Sequence, residues 1–220
     1  MPRLRSRFLA VAFDMDGLMF DTEDVYWKTA SLLLQKRGFE YTQELCDELM
    51  GRPPKYCFQR MIEKYDLKET WEKLHNESEA TFINLLDEGF SMMPGLLPVL
   101  STLEKKRIPK SVCTSSSLRV AHEILQRKQV LEHFQFILAF EDTVQGKPNP
   151  EIYIKAAKRF RVPMDRMLVL EDSVSGCSAA REAGAFVVAV LARHNRNLSF
   201  DHASLVVDRL DAPEVLELLM

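Results

Sequence analysis

Phe8-Leu9-Ala10-Val11-Ala12-Phe13-Asp14-Met15-Asp16-Gly17 runs six apolar residues into two carboxylates one residue apart, then a glycine. An unbroken apolar run this short suits a strand buried on both faces, as in the middle of a parallel sheet. Gly17 marks the turn at its end. In extended chain, residues i and i+2 point to the same side, ~6.5 Å apart along the strand. Asp14 and Asp16 are therefore expected to face the space beyond the strand's carboxyl end, where open parallel sheets place their sites. Taken alone, Asp-x-Asp reads equally well as an acidic turn, so the remaining residues must decide.

Working outward, the pattern after Gly17 turns helical for about seventy residues. Val25 to Arg37 carries Trp27, Ala30, Leu33 and Leu34 at helical spacing and stops at Gly38. Gln43 to Met50 ends at Gly51. Lys55 to Tyr65 follows Pro53-Pro54. Lys68 to Leu86 places Trp71, Leu74, Phe82 and Leu85 on one stripe. Beyond Pro94-Gly95, short apolar runs alternate with helical patterns. Strands are expected at 111–113, 136–138, 167–170, 186–190 and 205–207, with helices at 96–105, 118–128, 150–160, 173–183 and 213–219. Asn149 is the expected N-cap of the helix opened by Pro150. Gly176, Ala179, Ala180 and Ala183 give the helix at 173–183 a small-residue face that can lie close on a sheet. The alternation predicts an α/β parallel-sheet core over 1–20 and 92–220, interrupted by a helical insert over 21–91.

Composition narrows the function. The 220 residues are 46% hydrophobic and 28% charged, ordinary for a globular protein. A net charge of -3 gives no reason to expect nucleic acid or membrane as a partner. The four cysteines, Cys46, Cys57, Cys113 and Cys177, have neither CxxC nor metal-ligand spacing and read as reduced thiols. Arg3, Arg5 and Arg7 precede an apolar run too short for a secretory signal, and no stretch approaches ~20 apolar residues. A soluble cytoplasmic protein is expected.

Four strand ends carry polar groups that apolar strands do not explain. The first ends in Asp14 and Asp16. The second ends in Thr114-Ser115-Ser116-Ser117 just before a helix, where hydroxyls and free N–H groups suit a phosphate; Ser117 reads as an N-cap. A later strand ends in Glu171-Asp172. Lys147 sits among prolines in Gly146-Lys147-Pro148-Asn149-Pro150, just before another helix. All parallel strands deliver their ends to one edge. Clustered carboxylates without His or Cys suit a hard cation, Mg²⁺ rather than Zn²⁺. Together with the hydroxyls and lysine they describe a phosphoryl-transfer site. An anionic carboxylate approaching a phosphate oxygen at 4 Å costs about 4 kcal/mol at an effective dielectric of 20. A cation and a lysine offset that repulsion, and the leaving alkoxide needs an acid.

In these residues the sequence resembles the haloacid dehalogenase superfamily, in its β-phosphoglucomutase-like branch of phosphatases and mutases. Phe13-Asp14-Met15-Asp16-Gly17 with Asp21-Thr22-Glu23, Val112-Cys113-Thr114-Ser115-Ser116, Lys147-Pro148-Asn149-Pro150 and Leu170-Glu171-Asp172-Ser173 with Gly176 are similar to its four motifs, in order. The resemblance implies a Rossmann-like core with a helical cap inserted after the first strand. It implies Asp14 as nucleophile and Asp16 as acid, then base. Thr114, Ser115 and Lys147 would hold the phosphoryl oxygens. Mg²⁺ would sit on Asp14, the Asp16 carbonyl and Asp172, with Glu171 adjacent. Dehalogenase members lack the second Asp, so Asp16 argues against that activity. In the cap, Gly51-Arg52-Pro53-Pro54-Lys55 is similar to the substrate-specificity loop, with Arg52 or Lys55 able to reach substrate. Arg193-His194-Asn195-Arg196 reads as a surface loop.

The expected activity is hydrolysis of a small phosphorylated metabolite by a monomer. A sugar-phosphate mutase is the alternative among enzymes. Against it, the mutases are expected to carry a histidine early in the first cap helix, where this chain has Tyr26, and a freer loop where it has Pro53-Pro54. A phospho-signalling receiver domain is the alternative outside catalysis, but it would be near half this length and lack the helical insert.

Overall fold

The computed structural model describes residues 7–49 and 52–220. Arg3, Arg5, Met50 and Gly51 lie outside them. The chain forms two compact units: the chain up to Asp21 with Met92–Met220, and Thr22–Ser91.

In the first unit, six strands make one parallel sheet: β1 (Ala10–Phe13), β4 (Lys110–Cys113), β5 (Ile137–Leu138), β6 (Met167–Glu171), β7 (Phe186–Val190) and β8 (Leu205–Val207). Their order is β5-β4-β1-β6-β7-β8. Two short strands, β2 (Phe20–Asp21) and β3 (Ser91–Met92), stand outside this sheet. Counting only the strands of the large sheet, the order is the doubly wound 3-2-1-4-5-6. The chain fills one side of β1, then returns to fill the other. The reversal falls between β1 and β6, and the resulting crevice opens at their carboxyl ends.

The apolar runs set this arrangement. Every residue of β1, β4 and β6 is buried, as a strand covered by helices on both faces requires. Register places Phe13 beside Val112 on one side and Leu170 on the other. The residues that follow, Asp14, Cys113 and Glu171, therefore lie side by side. On one face, Ala12, Val169 and Val187 pack with Tyr153, Ala156 and Ala157 of α7 (Glu151–Phe160) and Cys177, Ala179 and Ala180 of α8 (Val174–Ala183). The small residues of α8 bring it close to the sheet as expected.

Caps start the helices at the site edge. Ser117 Oγ accepts from Val120 N–H at the start of α6 (Leu118–Arg127), and Ser173 Oγ accepts from Gly176 N–H at the start of α8. Asn149 Oδ1 accepts from Glu151 N–H, so it caps α7 although the regular helix begins one residue after Pro150. Among the described residues of this unit the other α-helices are α5 (Leu96–Lys106) and α9 (Pro213–Leu218).

The second unit is helical: α1 (Glu23–Gln35), α2 (Gln43–Leu49), α3 (Pro54–Tyr65) and α4 (Trp71–Leu85). Its own core joins Leu33 and Leu34, Leu45 and Leu49, Phe58 and Met61, and Leu74. Two expectations need correction. Trp27 is 38% exposed and stands edge-on to Tyr41, while Thr29 is buried, its hydroxyl bonded to Val25 O. The helix expected from Lys68 starts at Trp71, because Thr70 accepts from Lys73 N–H and caps it there. No helix among the described residues is long and apolar enough to cross a membrane. Leu74→Ala removes a fully buried side chain at the centre of the helical unit. It should cost about 2–5 kcal/mol of that unit's stability, read as lost amide-exchange protection across α1, α3 and α4.

Candidate active site

The site begins where β1 stops. Asp14 N–H donates to Leu170 O at 3.0 Å, continuing the ladder one residue past the strand and leaving the Asp14 carboxylate at the sheet edge. Lys147 arrives from the loop before α7. Its ammonium donates to Asp14 Oδ1 at 2.5 Å, Glu171 Oε1 at 2.6 Å and Cys113 O at 3.0 Å. An ammonium has three hydrogens, and each has an acceptor. The lysine is buried, which by itself lowers its pKa; the two carboxylates outweigh burial and hold it above its ordinary range. It is a fixed cation.

Glu171 is fully buried and its two oxygens accept from five donors. Oε1 takes Lys147 Nζ and the Tyr153 hydroxyl at 2.5 Å; Oε2 takes Asp172 N–H, Ser173 N–H and Ser173 Oγ. Gly176 makes room for it: a Cβ there would lie 1.8 Å from Glu171 Oε1. Burial, then the Glu171 charge, pushes the Tyr153 phenol well above its usual pKa, so it acts as a neutral donor. Tyr153 is absent from the expectations. Its only sequence signal is one hydroxyl on the otherwise apolar face formed by Ile152, Ala156 and Ala157.

Asp172 has its two oxygens in different states. Oδ2 meets His194 Nε2 at 2.8 Å, whereas Oδ1 is buried with no hydrogen-bond partner. The surface-loop reading of 193–196 is therefore wrong at its centre. Asn195 is fully buried, and its amide donates to Asp172 O at 2.8 Å and Val190 O at 3.1 Å. Its Oδ1 accepts from Ala192 N–H at 2.7 Å. The missed signal is an imidazole and an amide in the loop that follows the parallel strand β7, at the same edge as the acids. Gly17 also belongs here, with φ +79° and a Cβ position 2.1 Å from Asp172 Oδ2.

One oxygen each of Asp14, Glu171 and Asp172 lie within 4.8 Å of one another. Three ionised carboxylates against one ammonium leave two negative charges in a buried space. Burial first, opposed by Lys147 and aided by the other acids, raises the Asp14 pKa well above the carboxylate range. Burial and Glu171 do the same to Asp172. A divalent cation would balance the excess. The all-oxygen donor set and the unpartnered Asp172 Oδ1 fit such an ion.

Asp16 is partly exposed and turns to the hydroxyl loop after β4. Its Oδ2 accepts from Ser116 Oγ at 2.7 Å and Thr114 Oγ1 at 3.4 Å. Thr114 is buried and Ser115 exposed. Ser116 and Thr114, rather than Ser115, make the hydroxyl contacts to Asp16. The first unit thus assembles Asp14, Asp16, Thr114, Lys147, Glu171 and Asp172 at one edge. Arg52 and Lys55 belong to the helical unit, where Arg52 lies over the Tyr56 ring and Lys55 over the Trp71 ring.

A family profile described as haloacid dehalogenase-like hydrolase matches residues 11–190. The chain belongs to that family. Among the relatives of this hydrolase is a phosphorylated carbohydrates phosphatase of Thermotoga maritima, 34% identical over 80% of this chain and 81% of the relative. Another is a (DL)-glycerol-3-phosphatase of Arabidopsis thaliana, 30% identical over 84% and 80%. The crystal structure of CbbY from Rhodobacter sphaeroides in complex with phosphate shares the fold, with a TM-score of 0.88 at 24% identity over 96% of this chain and 99% of that one. Family and relatives make the hydrolase a phosphoric monoester hydrolase.

Gly176→Ala in this hydrolase would drive a methyl group into the Glu171 carboxylate. Overpacking of this kind should cost about 1–3 kcal/mol, seen as a lower melting temperature, and should displace Lys147 enough to reduce turnover. Unchanged stability and turnover would show that Glu171 can move freely.

Proposed function

We propose that this hydrolase cleaves small phosphate monoesters through a phosphoryl group carried on Asp14, with Mg²⁺ as cofactor. The observation that carries the reading is the Lys147 ammonium bonded at once to Asp14 and Glu171, two of the three clustered carboxylates. Lys147 holds Asp14 in one orientation and leaves its second oxygen for attack. That oxygen bonds to phosphorus while the bond from phosphorus to the leaving oxygen breaks. Asp16 gives its proton to that oxygen, and the alcohol departs. Asp16, now a carboxylate, takes a proton from water as the water oxygen attacks phosphorus. The bond to Asp14 breaks, releasing inorganic phosphate and the free carboxylate.

Thr114, with Ser115 beside it on the loop, binds the phosphoryl oxygens, and Lys147 supplies fixed positive charge next to them while its three hydrogens stay on Asp14, Glu171 and Cys113 O. Asp14, Asp172 and the Asp16 carbonyl would hold Mg²⁺, with Glu171 adjacent. The ion supplies positive charge against the phosphoryl oxygens and the carboxylates when bound. The helical unit serves as a cap over 21–91 and chooses the substrate, with Gly51, Arg52 and Lys55 as its specificity loop; Gly51 lies outside the described residues. The named substrates of the relatives, phosphorylated carbohydrates and glycerol 3-phosphate, support a small phosphorylated metabolite. We assign the protein to a reducing cytoplasm as a monomer, in keeping with its four free thiols.

Hydrolysis is favoured over mutase chemistry by Tyr26. It offers a phenol where the mutases are expected to have an imidazole, so the position lacks a group that changes charge near neutral pH. The receiver-domain reading is set aside by the family match.

Asp14→Asn preserves size but removes the nucleophile. It should lower kcat on p-nitrophenyl phosphate by at least ~10²-fold without lowering the melting temperature. A variant retaining a tenth of the activity contradicts covalent catalysis. EDTA should silence the wild type and added Mg²⁺ restore it, and full activity in metal-free buffer would refute the cofactor. With a sugar 1-phosphate, the products should be free sugar and inorganic phosphate. Conversion to the 6-phosphate without phosphate release would favour the mutase.

A further inference from the structure

Asp172 is held from three sides by residues outside the acidic cluster. Asn195 fastens the loop after β7 to the Asp172 backbone and to Val190 O, and its Oδ1 closes the loop on Ala192 N–H. The staple is buried, so water does not compete for these bonds. It sets the adjacent residue, His194, with Nε2 2.8 Å from Asp172 Oδ2. The missing side chain of Gly17 leaves room for both groups: a Cβ there would lie 2.1 Å from Asp172 Oδ2 and 3.0 Å from His194 Cε1. The outcome is a carboxylate with one oxygen engaged and the other, Oδ1, buried and unpartnered.

We infer that His194 is a positioning residue for the cation: by engaging Asp172 Oδ2 it fixes the rotation of the carboxylate and reserves Oδ1 for Mg²⁺. The inference rests on the Mg²⁺ assignment proposed above. An unpartnered buried carboxylate oxygen is unfavourable unless a cation takes it. Without His194 the carboxylate could rotate, and either oxygen could turn toward Lys147 or the Asp16 loop. A carboxylate that ligates a metal is commonly held by such an outer hydrogen bond, and loss of the outer partner weakens binding by about 10–100-fold. With Asp172 ionised, the contact requires the proton on Nε2, so the imidazole donates. Asn195 acts one step further out, by placing His194.

The test is a Mg²⁺ titration of the full chain by calorimetry, without substrate, for wild type, His194→Ala, His194→Phe, His194→Gln and Asp172→Ala. His194→Phe keeps a ring in place and removes the donor; His194→Gln keeps a donor. Melting temperatures in EDTA separate folding from binding. The expected result is a Kd raised about 10–100-fold in the Ala and Phe variants, partial recovery in the Gln variant, and no binding in Asp172→Ala. The Mg²⁺ concentration for half-maximal hydrolysis of p-nitrophenyl phosphate should rise in the same proportion, with excess Mg²⁺ recovering rate. Wild-type Mg²⁺ affinity in both the Ala and Phe variants overturns the inference. So does a loss of rate that no Mg²⁺ concentration repairs. Absence of Mg²⁺ binding by the wild type overturns the cofactor assignment itself, and is distinguished by the wild-type titration alone.

Discussion

The buried ammonium of Lys147 governs the charge of the whole sheet edge. It faces Asp14, Glu171 and a backbone carbonyl at the end of β4, with no hydrogen left for water. Ions taken out of water each lose several kcal/mol of solvation, and only close partners offset that. Here the partners come from three strands whose register makes them neighbours. Removing the ammonium would leave the buried carboxylates unmatched, which costs about 3–5 kcal/mol. The arrangement keeps Asp14 in a single orientation, and Glu171 serves mainly to hold Lys147. Tyr153, Ser173 and the bare α-carbon of Gly176 in turn hold Glu171.

The site still carries more negative than positive charge. Burial first, and then the neighbouring acids, raise the pKa values of Asp14 and Asp172, so without a further cation these acids tend to keep a proton. A divalent ion among them would restore both to carboxylates, linking occupancy of the site to the nucleophile's readiness. The doubly wound order concentrates this chemistry at one point. The chain reverses direction across the sheet between β1 and β6, the strands that end in Asp14 and in Glu171-Asp172.

Much of this is legible along the chain because each part is local. Six apolar residues before Asp14 announce a buried strand, Ser117 and Asn149 announce helix starts, and parallel topology carries the polar strand ends to one edge. What is not legible depends on contacts made across the fold. Tyr153 looks like core until Glu171, eighteen residues on, is placed beneath it. Asn195 and His194 sit between two arginines, and the basic pattern suggests solvent; only the return of the loop to Asp172 buries Asn195 and partly covers His194. Ser116 and Ser115 are chemically alike, and the turn of the backbone alone decides which hydroxyl meets Asp16. Trp27 shares helical spacing with Ala30 and Leu34 yet stays 38% exposed; the buried stripe runs through Val25, Thr29 and Leu33, four residues apart, where Val25 O satisfies the Thr29 hydroxyl.

The central claim is that a phosphoryl group passes through Asp14. The most direct measurement mixes the enzyme with p-nitrophenyl phosphate and Mg²⁺, quenches in acid within the first turnover, and maps the modified peptide by mass spectrometry. The account predicts the mass of one phosphoryl group on the peptide containing Asp14, located on that residue by fragmentation and absent from Asp14→Asn. Turnover with an unmodified Asp14 peptide at every quench time, or a phosphoryl group found on another residue, would contradict it.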